Sequence, residues 1–358
     1  MNKTSLIIIV SVLVALGLIG FLFNNFFVIN DWKVVSRVEH NSIILEEELT
    51  KQLKEGDVDE SIKVAEKLIE VRKNDDQAKL DLADAYLEKA SLEFKEEEYG
   101  NKALALANEV LQKNPNNFEV YLTIGYAYEV LQDYSKAFEN YSKAIEMEPD
   151  YSISYTKRGH AHDLVGDLNS AEADYMKAIQ ISDQNDIALM NLARIAQRKG
   201  DFENAKKYAE SVIQISRIAY NRATAYEIIG LAYLDSEDNQ SAIDNFSKSI
   251  DAYEKYVSAY SNRAYAKILL NNYEVKDINL EHSIQDDINN ALIIHEFNSF
   301  AHVVNGLLKE AVGDNQKAKE FYEKALSVVD KDITLGATEK IDMKNKINES
   351  INSLTNNQ

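Results

Sequence analysis

The stretch FEVYLTIGYAYEVLQDYSKAFENYSKAIEMEPDY, from Phe118 to Tyr151, determines the fold class of this chain. In each half of it, apolar and small residues recur at spacings of three and four, which predicts two helices with one packing face each. Pro149 cannot lie inside a helix, so the second helix is expected to end just before it. The residues of the two predicted packing faces are Tyr121, Ile124, Gly125, Tyr128, Ala137, Tyr141 and Ala144.

This 34-residue unit is repeated along the chain. One column of small or apolar residues follows its period: Ala103, Ala137, Ala171, Ala205, Ala242, Ile284 and Ala318. A second column keeps the same period and the same two irregular intervals: Val110, Ala144, Ala178, Val212, Ser249, Ala291 and Ala325. Two columns that stay in step indicate an array of stacked helix pairs, which offers an extended surface instead of a single catalytic cleft.

The unit resembles the tetratricopeptide repeat. Both prolines of the chain, Pro115 and Pro149, fall at place 32 of their units. Place 4 is tyrosine in four units, at Tyr121, Tyr155, Tyr226 and Tyr260. Place 15 is glycine at Gly56, Gly166, Gly200 and Gly313, where a left-handed residue would end the first helix. The resemblance implies an all-α solenoid, a right-handed superhelix of helix pairs whose concave face is made by the first helices.

Eight such units are predicted between residues 42 and 332, and the second has a lengthened first helix. Their ranges are 42–75, 76–117, 118–151, 152–185, 186–219, 223–256, 257–298 and 299–332. The segment 333–358 is predicted to contain a capping helix from about Lys340 to Leu354, with Ile341, Ile347 and Ile351 on its packing face. The unit 257–298 carries an insertion, Glu274 to Glu281, which is either a contact loop or a tolerated surface insertion whose deletion would leave the helical content unchanged.

The amino terminus predicts a membrane anchor. The run LIIIVSVLVALGLIGFLF, Leu6 to Phe23, carries no charge, and apolar residues continue to Ile29 before Trp32. Such a run exceeds a hydrocarbon core of about 30 Å, so residues 1–30 are expected to form a single transmembrane helix, followed by a linker at 31–41. A cleaved signal peptide is the alternative, but the run is long for one and no small-residue cleavage pattern follows it. Lys3 on one side and Lys33 on the other leave orientation nearly balanced.

The composition of the chain and the motifs it lacks argue against several classes of function. The net charge of −20 and the lack of a Lys/Arg cluster argue against nucleic-acid binding. The chain contains no cysteine, which excludes disulfides and thiol chemistry. No phosphate-binding glycine loop, HExxH or GxSxG motif occurs, and the histidines show no metal-binding spacing. We therefore expect no enzymatic activity, cofactor, metal, nucleic acid or small-molecule substrate.

A second stripe on the first helices, at places 2, 5, 9 and 12 or 13, is not used by the packing face. By the resemblance, this stripe lines a groove that binds a peptide or a partner helix. The alternative is that individual members are merely solvated. The candidate partner-binding residues are Glu119, Leu122, Tyr126, Glu129, His160, Asp163, Met190, Arg194, Arg198, Glu227 and Tyr265.

Arg194 and Arg198 form the cationic part of this predicted stripe. Guanidinium groups suit bidentate recognition of a carboxylate or phosphate, so we expect them to contact an acidic partner segment. The Lys–Asn pair with which some family members clamp a chaperone tail does not occur at places 5 and 9 of any unit. Binding of a chaperone's carboxylate tail is therefore not expected.

The sequence predicts a membrane-anchored scaffold or adaptor that binds proteins or peptides in the groove. The alternative is a holdase-like accessory factor in envelope biogenesis or secretion that binds unfolded clients. A short leading tail that carries a Lys favours an anchor in a bacterial inner membrane, with the repeats outside the cytoplasm.

Overall fold

The computed structural model describes residue 45 and the ranges 58–72, 75–93, 95–332 and 335–356. These residues form sixteen α-helices and no β-strand, so the predicted all-α class is confirmed. The helices belong to two compact units, Met1–Asp150 and Tyr151–Gln358. Within the described ranges no helix combines the length and apolar character that a bilayer-spanning segment needs. The predicted anchor at 1–30 and linker at 31–41 lie outside the described residues.

In the first unit, each helix packs on the next one along the chain. Its described helices are α1 Val58–Val71, α2 Asp76–Glu93, α3 Glu96–Lys113, α4 Phe118–Val130 and α5 Tyr134–Met147. At 18 residues, α2 is longer than the 13-residue α4.

The second unit continues the alternation of first and second helices. Its helices are α6 Ser152–Leu164, α7 Leu168–Ile181, α8 Asp186–Arg198, α9 Phe202–Ile215, α10 Ala219–Asp235, α11 Asn239–Ala252, α12 Val257–Leu270, α13 Ile278–Ile294, α14 Ser299–Ala311, α15 Asn315–Val328 and α16 Ala337–Asn356. A 3₁₀ turn, Val329–Lys331, follows α15.

In most repeats, the short turn between the two helices contains a residue in the left-handed conformation and an aspartate that caps the next helix. Gly166, Gly200 and Gly313 have φ of +81°, +72° and +85°, so the left-handed turn residue predicted at these positions is confirmed. The residue directly after the left-handed position is an aspartate whose side chain accepts from a backbone N–H of the following helix. These capping aspartates are Asp133, Asp167, Asp201, Asp238 and Asp314.

The two sequence columns form the core. Every member of the first column is 0% exposed, and no member of the second exceeds 1%. The small place-8 residue permits close approach: a Cβ on Gly125 would lie 2.6 Å from the ring of Tyr141. A Cβ on Gly230 would lie equally close to the ring of Phe246. The predicted packing of two helices through one small face each is therefore observed.

The carboxyl end is covered by α16. Ile347 and Leu354 are buried in a cluster with Ala318 and Tyr322 of α15. Ile341, predicted on the same face, is instead 61% exposed, because it lies in the first turns of the helix, before the buried contacts begin. Within the second unit, α16 thus shields the apolar face of α15.

The insertion Glu274–Glu281 is an integrated part of the fold. Val275 is 5% exposed in the core of this repeat, and its N–H donates to the carbonyl of Ala311. Asp277 caps α13, which begins at Ile278. Deletion of this segment would therefore remove the first turn of α13 and a core side chain, in contrast to the expectation that the helical content would stay unchanged.

Candidate partner-binding faces of the first helices

The first helices lie beside one another within each unit. In the first unit α2 packs against α4, and in the second unit α8 packs against α10, α10 against α12, and α12 against α14. Since each first helix also packs on its own second helix, only its remaining side is free to contact a partner. These sides are candidate faces for a partner.

The candidate residues of the first unit are more buried than the sequence predicts. Leu122 and Glu129 are each 6% exposed. The hydroxyl of Tyr141 donates to Glu129 over 2.9 Å, so this carboxylate contacts the second helix of its own repeat. Burial, with a smaller contribution from nearby carboxylates, raises the pKa of Tyr126 above its usual range. Glu119 is partly buried at the start of α4.

Asp81 of α2 adds to this face a carboxylate that the candidate set did not include. Burial raises its pKa to about 6, and the charges of Asp84, Asp75 and Glu119 act in the same direction. A hydrogen bond from Gln77, 3.0 Å long, opposes the rise. The sequence position of Asp81 does not indicate a raised pKa, because the shift depends on the packing of α2 against α4.

In the second unit, the two arginines of the predicted cationic patch differ in their contacts. Arg198 forms an ion pair of 2.5 Å with Asp163, another candidate residue, which lies on α6. This pair ties α8 to α6 and neutralises Arg198. His160 is exposed on α6. The expectation that both arginines contact an acidic partner segment stays a prediction, in which Arg198 already has an ion pair within the chain.

Arg194 of α8 lies beside a polar network that joins two further first helices, α10 and α12. Glu227 of α10 accepts hydrogen bonds from the Tyr256 hydroxyl at 2.6 Å and from Asn262 of α12 at 2.9 Å. Burial raises the pKa of the Glu227 carboxyl, while Tyr256, Arg194 and Asn262 oppose the rise. Met190, one turn before Arg194, is 9% exposed and belongs to the core of its repeat. Of the two candidate arginines on α8, Arg194 forms no ion pair with another residue that the structure describes.

Tyr265 lies at the other end of this row, on α12. Its ring meets Phe300 edge to face at 5.9 Å. Burial and a hydrogen bond with Tyr273 raise the pKa of Tyr265 to about 12. The side chain is partly buried, so it offers an aromatic edge to a ligand.

The candidate stripe does not include an aromatic cluster formed by the first turn of α10 and the turn between α11 and α12. Tyr220 lies in the three residues inserted between the units 186–219 and 223–256 and is 46% exposed. Its ring meets those of Tyr253 at 6.0 Å and Tyr256 at 5.4 Å, both edge to face. The signal that could have found it is the insertion, since three extra residues lengthen α10 by almost one turn.

The described part of the chain contains no group of three or more potential ligands that could hold a metal ion. His295 lies 3.4 Å from Asp332, which caps α14 through the backbone N–H and hydroxyl of Ser299. These contacts assign the histidine and the aspartate to the junction between two repeats.

Comparison with known proteins identifies the repeat. Tetratricopeptide-repeat profiles match residues 118–151, 153–185, 186–255 and 306–328. No curated protein matches the chain. The chain is similar in fold to a chain of the Cut9–Hcn1 hetero-tetramer structure of APC/C, with a TM-score of 0.59, 15% identity and coverage of 81% of this chain. It spans about half of that chain, 52% of its length.

Two further structures are similar over shorter parts. PilF of Pseudomonas aeruginosa matches with a TM-score of 0.51 and 16% identity over 64% of this chain and 97% of its own. PilW, described as a type IV pilus biogenesis factor, matches with a TM-score of 0.50 and 14% identity over 59% of this chain and 92% of its own. Identities this low show the fold alone. The chain therefore contains tetratricopeptide repeats in the matched segments, arranged as an all-α helical solenoid.

Proposed function

We propose that this protein is a membrane-anchored scaffold that binds partner proteins or peptides on the faces of its first helices. The observation that carries the proposal is the row α8, α10 and α12, where Arg194 makes no hydrogen bond or ion pair with a described residue and the ring of Tyr220 is 46% exposed. Aromatic and arginine side chains are the usual anchors of protein interfaces. Tetratricopeptide repeats are generally interaction modules, which supports the same function.

A photo-crosslinking amino acid tests where partners bind. Placed at His160, exposed on the first helix α6, it should capture a small number of defined partners in cells. The matched control is Gln180, exposed on the second helix α7 of the same repeat, where little crosslinking is expected. Equal crosslinking at both positions would contradict binding by the first helices.

The same experiment distinguishes the scaffold from the holdase-like alternative. A scaffold should give a few discrete crosslinked species at fixed ratio. A holdase should give a broad smear of clients, and the purified protein should suppress aggregation of an unrelated unfolded protein. No observation in the described residues favours the holdase over the scaffold.

The membrane part of the proposal rests on the apolar run from Leu6 to Ile29. We place this anchor in a bacterial inner membrane with the repeats outside the cytoplasm, a site that suits envelope assembly such as that of the pilus factor PilW. Protease added to cells with a permeabilised outer envelope should then digest the tail beyond Lys340. Protection until the inner membrane is lysed would reverse the orientation.

A further inference from the structure

Arg194 retains the capacity to bind an anion. It is partly buried on α8, and its guanidinium makes no hydrogen bond or ion pair with another described residue. The charge of Glu227 acts on Arg194, and the two oxygens of that carboxylate accept hydrogen bonds from Tyr256 and Asn262. The fixed donors of a guanidinium fit a carboxylate bidentately, so Arg194 is complementary to an acidic group of a ligand.

An apolar rim is formed by the first turns of α8 and α10 together with the C-cap residue that ends α11. We define it as Ile187, Tyr220 and Tyr253, which are 47%, 46% and 36% exposed. Asn221 donates to Asp186 over 3.2 Å, which holds the first turn of α10 against that of α8. Single exposed apolar residues are ordinary, but a held cluster with edge-to-face rings resembles the anchor of an interface.

The rim and the charged groups have a fixed spacing. Ile187 and Arg194 are seven positions apart on α8, and Tyr220 and Glu227 are seven positions apart on α10. Seven residues make about two turns, so each pair lies on one side of its helix, about 10 Å apart. An extended peptide covers that distance in about three residues at roughly 3.3 Å each.

We propose that α8 and α10 form one subsite for an extended peptide segment that carries a carboxylate about three residues from an aromatic or aliphatic side chain. The carboxylate binds Arg194, and the apolar side chain lies on the rim. This inference rests on the proposed function and specifies the partner chemistry of one face. Arg198 takes no part, because Asp163 already neutralises it.

The test is selection of peptides from a random dodecapeptide display library on the full chain in detergent micelles, with Arg194→Gln as the counter-target. Enriched peptides should contain Asp or Glu about three positions from a Phe, Tyr, Trp, Leu or Ile. Synthetic versions should bind Arg194→Gln about tenfold or more weakly, since two charge-assisted hydrogen bonds are lost. Tyr220→Ser should weaken binding as well, and Arg194→Lys should give an intermediate affinity.

The matched control is Arg198→Gln, which should bind the same peptides as the wild-type chain. Far-UV circular dichroism and the urea midpoint verify that each variant is folded. Enrichment of peptides without the acidic–apolar spacing, absence of enrichment, or equal binding by Arg194→Gln would overturn the subsite. If the subsite fails this test but partners still crosslink at His160, the proposed function stands without the subsite. If no partner crosslinks to the wild-type chain at His160, both the proposed function and the subsite are wrong.

Discussion

The repeats 118–151 and 257–298 use the same frame with different chemistry. In the first, Gly125 lies under the ring of Tyr141, which is 0% exposed. In the second, Ala264 packs in a cluster with the smaller Ile288. Both repeats pair a small residue with a larger one. In the second repeat the small residue is larger than glycine, and its partner is smaller than tyrosine. The repeat therefore specifies the helix separation, not the identity of either residue.

The two repeats differ more in charge than in volume. Ile124 is buried on α4, whereas the corresponding place on α12 holds Arg263, which pairs with the buried Asp287 at 2.5 Å. Lys267 contacts the same carboxylate at 2.8 Å. Asp81, on the helix that packs against α4, forms no ion pair with a described residue. Whether the charge of a buried carboxylate is neutralised thus depends on whether a neighbouring helix places a cation beside it.

The largest expected effect is that of removing the compensated carboxylate. Asp287→Ala leaves two partly buried cations without their shared partner, and should lower the free energy of unfolding by about 3–5 kcal/mol. Urea unfolding followed by circular dichroism measures the change. The matched control is Asp174→Ala, which deprives only Arg158 of its partner and should cost less. An equal loss in both variants would mean that the second cation contributes nothing.

The next effect concerns the close approach of α4 and α5. A methyl group at Gly125→Ala would meet the buried Tyr141 ring at 2.6 Å, so we expect a loss of about 2 kcal/mol from overpacking. Gly100→Ala is the control, because its methyl would meet the flexible side chain of Leu131 at 2.9 Å. Thermal unfolding should show a clearly smaller loss for Gly100→Ala. A larger loss for Gly100→Ala than for Gly125→Ala would contradict the assignment of the tightest contact to Gly125 and Tyr141.

Asp81 predicts a stability change with pH. Its folded pKa of about 6 lies above the ordinary 3.8, so the folded state binds this proton more tightly. That stabilisation is complete below about pH 3.8 and is lost as the pH rises through about 6. Asp81→Asn should therefore stabilise the protein by about 2 kcal/mol at pH 7.5, a value reduced for partial solvent screening, and by little at pH 4.

Urea unfolding at the two pH values measures this difference. The exposed Glu97, changed to Gln, is the control and should alter stability little at either pH. A stabilisation by Asp81→Asn that is equal at pH 4 and pH 7.5 would contradict a titrating, uncompensated carboxylate at this face.

The smallest expected effect lies in the turns. Gln132 occupies the left-handed position with φ of +60°, where Gly166 has +81°. Gln132→Gly should stabilise its repeat by about 0.5–1 kcal/mol, since glycine adopts this conformation without a Cβ penalty. Gly166→Ala should have the opposite sign, and because its Cβ would meet nothing within 4 Å, the loss is purely conformational. Hydrogen exchange of the flanking helices measures both, and equal signs would contradict this explanation.

The sequence allowed prediction of helix pairs, their period, the buried columns and the left-handed turns at Gly166, Gly200 and Gly313. Each is encoded by residues three, four or thirty-four positions apart, and recurrence in several units makes the pattern readable. The capping aspartates recur just as regularly, at Asp133 and Asp167 for example, and the same reasoning could have found them. The groove residues remain a prediction, and the structure refines it at Glu129 and Arg198.

Tertiary structure alone decided which side chains meet. Arg198 contacts Asp163, Glu227 contacts Asn262, and Val275 enters the core, although nothing in their spacing distinguishes them from solvated neighbours. Periodicity states which side of a helix is apolar, but ion pairing, burial and pKa depend on distances of a few ångströms between helices from different repeats. Those distances follow from the packing of the side chains between them, which a linear pattern does not specify.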